Sequence, residues 1–268
     1  MKILVIGGGN MGQTYIHSFL HSHIVQAENL MILEKSIRQI RRLEKLNTGT
    51  IYQSPEECVP KADLIIFAVK PQDAALLYAE IGGLLHPEHL VLSIMAGVRI
   101  QTLQEGLNIN KIVRAMPNLP AQIGDGMTVF TSTTEVSRPE LTMVQNLLNT
   151  TGKALYVDHE HLLDSATAIS GSGPAYVFYF MESIIEAAVN LGFSEAEAEL
   201  LTWQTFHGAI NLLSKNDLSC REWIDRVASR GGTTEAALRC YDQNHLKPGI
   251  INGSQAAYKR AQELGESS

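Results

Sequence analysis

Three short clusters of small residues carry the groups in this sequence that could do chemistry. The first, Gly7-Gly8-Gly9-Asn10-Met11-Gly12, sets glycines at 7, 9 and 12 in the GxGxxG spacing. It follows the apolar run 3–6 directly and leads into Gln13-Thr14-Tyr15-Ile16, which opens a helix. In that context the first glycine serves a tight turn, the second lets backbone approach a pyrophosphate, and the third lets helix pack closely on strand. Asn10 and Met11 stand at the helix N-terminus, whose N–H groups and dipole attract phosphate oxygens. The second cluster, Ser229-Arg230-Gly231-Gly232-Thr233-Thr234, also precedes a helix. Its paired glycines let consecutive N–H groups point one way, toward a carboxylate. Thr233 or Thr234 either caps that helix or aims a hydroxyl at the bound group. The third, Ser170-Gly171-Ser172-Gly173-Pro174-Ala175, reads as an anion-binding or interdomain loop, or else as a tight packing corner.

Strand ends near the first loop extend the candidate site. Glu34 comes about 20 residues after the loop, where an acidic residue takes the adenosine ribose hydroxyls and favours NADH. Lys35, Ser36 and Arg38 follow at once and suit a 2′-phosphate instead, so these residues leave NADH and NADPH both open. Phe67-Ala68-Val69-Lys70-Pro71-Gln72 closes a further strand, and open α/β sheets bind ligands at such carboxyl ends, which assigns Ala68, Val69, Lys70 and Pro71 to the nicotinamide ribose. Ala96 and Gly97, at the next strand end, are small enough to let a cofactor ring approach. Lys70 reads as a contact to ribose or substrate charge rather than a catalytic acid, because nothing near it in sequence would depress its pKa.

These loops need a frame. Apolar runs at 3–6, 30–33, 64–69, 90–94 and 111–116 alternate with helical stretches, the pattern of a largely parallel, doubly wound sheet of Rossmann type. After about residue 158 the chain changes to long helical segments at 174–191, 194–213, 233–241 and 247–264. Two domains are expected, a dinucleotide-binding domain over 1–158 and an all-helical domain over 159–268. Gly192 is placed to close one helix, and Ser194 with Glu195 and Glu197 to open the next. The helix over 174–191 is apolar around most of its circumference, a surface that a second subunit is expected to cover.

At 268 residues the chain is long enough for two modest domains, and 45% hydrophobic with 18% charged residues is the balance of an ordinary globular protein. A net charge of -7 gives no bulk attraction to nucleic-acid phosphates or anionic lipid, so neither is an expected partner. Cys58, Cys220 and Cys240 form no CxxC, which fits neither a disulfide framework nor a zinc site; a reducing cytoplasm and no metal are expected. The opening apolar run is too short for a signal peptide, and Glu182 and Glu186 interrupt the densest later one, so no membrane span is expected.

The stretches 7–12, 67–72, 93–98, Arg114-Ala115-Met116-Pro117-Asn118-Leu119-Pro120-Ala121, 164–175 and Gly231–Thr234 resemble, in order, the motifs of the pyrroline-5-carboxylate reductase family. The likeness spans nearly the whole chain and is far more specific than a lone GxGxxG. It implies a Rossmann domain followed by a helical dimerisation domain that interlocks with a second subunit, an active site between chains, and dimers that often assemble into decamers. It also implies an oxidoreductase acting on a C=N bond, reducing 1-pyrroline-5-carboxylate to L-proline with NADPH or NADH, the last step of proline biosynthesis. Thr234 would then hydrogen-bond the ring nitrogen, and Gly231, Gly232 and Thr233 would hold the substrate carboxylate through main-chain N–H groups, beside Ser229 and Ser172. Two departures stand out. Arg230 replaces the family's usual proline, and Ser54-Pro55 replaces a polar Ser-Asn pair near the adenosine. Other readings are a reductase of another cyclic imine or of a hydroxy acid, or a protein that binds NAD(P)H without chemistry. The β-hydroxyacid dehydrogenases need a catalytic lysine on the helical domain, and Lys215 stands in no such motif.

Overall fold

The computed structural model of the chain describes residues 1–46 and 48–266. Eight strands form one sheet: β1 (Ile3–Ile6), β2 (Leu30–Leu33), β3 (Thr50–Tyr52), β4 (Leu64–Phe67), β5 (Leu90–Ser93), β6 (Ile112–Met116), β7 (Gly126–Ser132) and β8 (Gly152–Tyr156). Their order is β3-β2-β1-β4-β5-β6-β7-β8, with every pairing parallel except β6 with β7. β1, β2, β4 and β5 are buried at every position, which is why they read as unbroken apolar runs rather than as alternating ones.

Alternate residues of β1 face opposite layers. Ile3 and Val5 join Tyr15 and Phe19 of α1 (Asn10–His21), Leu43 of α2 (Ile37–Glu44) and, further along the sheet, Leu147 of a later helix over 138–149. Leu4 and Ile6 join Leu77 and Ile81 of α3 (Ala74–Ile81) and Leu103 and Leu107 of α4 (Ile100–Leu107) on the other side. That later helix is α5 (Arg138–Asn149), opened by a capping box between Ser137 and Glu140. Because β1 lies between β2 and β4, the sheet changes winding direction there, and the crevice at that point is where such sheets bind ligands.

Contacts divide the chain into two units: Met1–Ser172 together with the chain end from Ala257, and Gly173–Ala256. Residues 159–172 thus pack with the sheet rather than with the helices that follow. Leu163 and Ala166 of α6 (Leu162–Ala166) contact Val129 of β7, and a π-helical turn, Thr167–Gly171, continues them. The Arg114–Asn118 stretch holds this segment down. The buried Arg114 donates to Glu160 at 2.7 Å and lies 3.6 Å from Asp164. Glu160 also accepts from the Ile100 N–H at 2.8 Å. Asn118 donates to the Ser170 carbonyl at 3.0 Å and accepts from the Met127 N–H at 2.9 Å.

The second unit holds α7 (Gly173–Asn190), α8 (Glu195–Ser214), α9 (Cys220–Val227), α10 (Thr233–Gln243) and the first part of α11 (Leu246–Glu266). Gly192, at φ 106°, follows α7, and the Glu197 carboxylate accepts the Ser194 N–H to cap α8, as the residue types predict. None of the 18 residues of α7 is buried, and Phe178 and Tyr179 are 58% and 68% exposed. Among the described residues no helix is long and apolar enough to cross a membrane.

Replacing Arg114 by Met would leave the buried Asp164 carboxylate without its cation and should lower unfolding free energy by about 3–5 kcal/mol. The shift in urea midpoint measures it, and a loss under about 1 kcal/mol would show that the clamp contributes little.

Candidate active site

The glycine loop is built by contacts that leave no room for side chains. Gly7 has φ 101°, and a Cβ there would lie 2.8 Å from the Ala68 carbonyl oxygen. A Cβ on Gly12 would lie 2.0 Å from the Gly7 carbonyl oxygen, so α1 can start under the loop only with glycine at this position. Gly9 differs. It has an ordinary φ of -71° and a Cβ there would meet nothing within 4 Å, so the chain's own packing does not require glycine. Gly9 is the N-cap of α1 and has no side chain to cap it, which leaves the first-turn N–H groups of Asn10, Met11 and Gly12 for an external acceptor. The Gln13 side chain donates to the Gly8 carbonyl at 2.6 Å and steadies the loop.

Gly7, Gly9, Glu34, Lys35, Ala68, Val69 and Lys70 line one cleft of about 440 Å³, at the crevice between β1 and β4. Asp73, Leu76 and Glu80 complete its wall. Glu34 is tethered: it accepts from the Gly8 N–H and from the Ser36 N–H, each at 2.7 Å. Lys35 pairs with Glu80 at 2.6 Å, a partner that no local sequence pattern signals because 45 residues separate them. Lys70 is exposed and makes no ion pair among the described residues. Pro71 opens the short turn Pro71–Asp73, and Ala96 is exposed beyond β5. Gly97 lies against the chain's own Leu264, whose Cβ would be at ordinary contact distance, 3.4 Å, from a Cβ on it, so its φ of 77° rather than packing favours glycine. Burial pushes the Cys58 thiol up to about 11, which removes it as a nucleophile near neutral pH.

Among the second-unit residues, the Gly232 N–H donates to the Ser229 carbonyl at 3.0 Å and Gly231 has φ 74°. This is a β-turn with its third residue in the left-handed region and Arg230 second, where proline is favoured. The turn therefore forms with arginine as well. The Gly231 N–H donates to the Glu235 carboxylate at 2.5 Å. Thr233 and Thr234 are the first residues of α10, whose N-cap is Gly232 with no side-chain bond. Neither hydroxyl caps the helix, so the capping alternative falls. Ser172 belongs to the first unit, and its N–H donates to the Thr167 carbonyl at 2.8 Å. The 170–175 stretch thus runs from the end of the π-helical turn at Gly171 into the first residues of α7, and is not an open loop. Ser54 donates its hydroxyl to Glu56, and Pro55 starts a buried turn. Among the described residues no group of three or more His, Cys, Asp or Glu is placed to hold a metal ion.

A family model described as pyrroline-5-carboxylate reductase dimerisation matches residues 160–264, and one described as NADP oxidoreductase, coenzyme F420-dependent, matches residues 2–97. The pyrroline-5-carboxylate reductase 2 of Bacillus subtilis is 34% identical over 268 residues, covering 99% of this chain and 95% of that protein. The chain belongs to the pyrroline-5-carboxylate reductase family. The Synechocystis pyrroline-5-carboxylate reductase is 32% identical over 267 residues and 99% of both chains. A crystal structure of Plasmodium falciparum pyrroline carboxylate reductase with NADP bound superposes with a TM-score of 0.88 at 32% identity, covering 99% of this chain and 98% of that one. Family and geometry agree on a Rossmann-type nucleotide-binding sheet followed by helices of the dimerisation type.

The loop geometry separates two glycines. Gly12→Ala should cost more than about 2 kcal/mol of stability, because its Cβ meets backbone. Gly9→Ala should unfold at nearly the wild-type temperature yet bind dinucleotide more weakly in a fluorescence titration; unchanged affinity would remove Gly9 from the phosphate site.

Proposed function

We propose that the chain reduces 1-pyrroline-5-carboxylate to L-proline with a reduced nicotinamide dinucleotide, the last step of proline biosynthesis, and that it does so as a homodimer. The observation that carries this reading is the full-length match to reductases of this name in a chain that keeps both loops built, the glycine loop at the sheet crevice and the turn at the head of α10.

The cleft fits the cofactor, because Gly9 leaves backbone open at the start of α1 and Gly7 brings β1 close to Ala68. Gly7, Gly9, Asn10, Met11 and Gly12 would hold the pyrophosphate, Glu34 and Lys35 the adenosine ribose, and Ala68, Val69, Lys70, Pro71, Ala96 and Gly97 the nicotinamide end. When bound, the reduced nicotinamide supplies the hydride that the imine carbon receives. The remaining work belongs to the chain. N–H groups of Gly231, Gly232 and Thr233, at the positive end of α10, would hold the substrate carboxylate, which would displace Glu235 from the Gly231 N–H and share the Gly232 N–H with the Ser229 carbonyl. The Glu235 carboxylate on the Gly231 N–H already displays that pairing within the molecule. Thr234 would hydrogen-bond the ring nitrogen and keep its proton in place, with Ser229 and Ser172 flanking the ring. A protonated iminium can arrive from solution, so no strong general acid is needed.

The apolar face of α7, with Phe178 and Tyr179 exposed, supports dimerisation, and assembly of such dimers into a decamer is part of the proposal. Three free cysteines support a cytoplasmic location.

Steady-state oxidation of NADH and NADPH with 1-pyrroline-5-carboxylate tests the reaction. Turnover is expected. Turnover only with a six-membered imine acid would replace the substrate, and cofactor binding without turnover on any imine would make this a binding protein. Thr234→Ala should lower kcat about tenfold or more with cofactor affinity unchanged, and equal activity would remove Thr234 from the mechanism. Arg230→Pro fits the second position of its turn and should raise stability by about 0.4–1 kcal/mol, read by thermal unfolding; destabilisation would contradict the turn assignment.

A further inference from the structure

We infer that Glu34 makes this chain prefer NADH over NADPH, by taking the free 2′-hydroxyl of the adenosine ribose and excluding a phosphate there. This rests on the reading that the cleft at β1 and β4 holds a nicotinamide dinucleotide.

The residue types alone are undecided, since Glu34 favours a ribose diol and Lys35, Ser36 and Arg38 favour a phosphate. A carboxylate that swung outward would settle the matter for NADPH. Glu34 does not swing outward: one oxygen accepts from the Gly8 N–H and the other from the Ser36 N–H, each at 2.7 Å. Those two bonds hold the carboxylate on the cleft wall beside the glycine loop. Each oxygen keeps a second lone pair for a hydroxyl donor, which a ribose can supply. A 2′-phosphate near neutral pH brings about two negative charges and acceptor oxygens only, so it meets repulsion with little to donate.

The nearest cation offers no rescue. Lys35 is already paired with Glu80 at 2.6 Å, on the same cleft wall. β3 runs beside β2, with Leu33 opposite Tyr52, and beyond its end Ser54 donates its hydroxyl to Glu56. Lys35 therefore sits among carboxylates, Glu80 on the cleft wall and Glu56 beyond β3. Arg38, Arg41, Arg42 and Lys45 lie with Ser36 along a different surface of α2, which shares no lining residue with the cleft.

Calorimetric titration of the wild-type chain with NADH and with NADPH, without substrate, tests the inference directly. NADH is expected to bind about tenfold or more tightly. Glu34→Ser should narrow or invert that ratio, chiefly by improving NADPH. Glu80→Gln changes an exposed side chain outside the glycine loop and should strengthen NADPH alone by freeing Lys35, so the test stands even if the Glu34 variant folds poorly. Equal or tighter binding of NADPH to the wild type, or an unchanged ratio in a folded Glu34→Ser and in Glu80→Gln, overturns the inference. Failure to bind either nucleotide overturns instead the reading of the cleft.

Discussion

The close contact between Gly12 and the Gly7 carbonyl is the constraint on which the rest of the site depends. With 2.0 Å between that oxygen and where a Cβ would be, α1 can begin directly under the end of β1. That placement leaves the N–H groups of the first helical turn without an intrahelical partner, next to the loop whose Gly7 and Gly9 line the cleft. Gly7 turns there with φ 101° and touches Ala68, so the ends of β1 and β4 close on the same cleft. Everything assigned to a dinucleotide, from Glu34 to Lys70, is placed by strands whose spacing follows from this join.

The loop at the head of α10 repeats the same physics on a smaller scale. A glycine with positive φ, a following glycine and a helix N-terminus recur there, where the proposed substrate carboxylate would take the place of the Glu235 carboxylate on the Gly231 N–H. Both candidate anion sites thus use main-chain donors, which suits a chain with net charge -7 and few cations to spare. The charged side chains at the cleft are then free for another task. Glu34 is held by two N–H groups and Lys35 by Glu80, the arrangement from which the proposed choice between ribose ends follows.

What could be read in advance was what short range determines. The glycine loop, the buried apolar strands and the capping of α8 by Ser194 and Glu197 all announce themselves within a few residues. β3 is only three residues long and partly exposed, and β8 alternates exposure along its length, so neither stood out as an apolar run. The ion pairs of Arg114 with Glu160 and Asp164, which link residues 159–172 to β6, span too much chain to leave a local pattern. The Lys35–Glu80 pair and the contact of Gly97 with Leu264 bridge long stretches of chain and leave no local trace. The helix α9 is signalled by its cap rather than by apolar periodicity, since Ser219 and Glu222 form a capping box in the S-x-x-E spacing.

The central claim is that this chain delivers hydride to the imine carbon of a five-membered cyclic imino acid. Incubation with 1-pyrroline-5-carboxylate and a reduced nicotinamide cofactor carrying deuterium at both C4 positions, followed by NMR of the product, reads that step at the atom concerned. The account predicts L-proline with deuterium at the δ carbon, the former imine carbon. Proline without deuterium, deuterium at another carbon, or unchanged imine beside intact cofactor would contradict it.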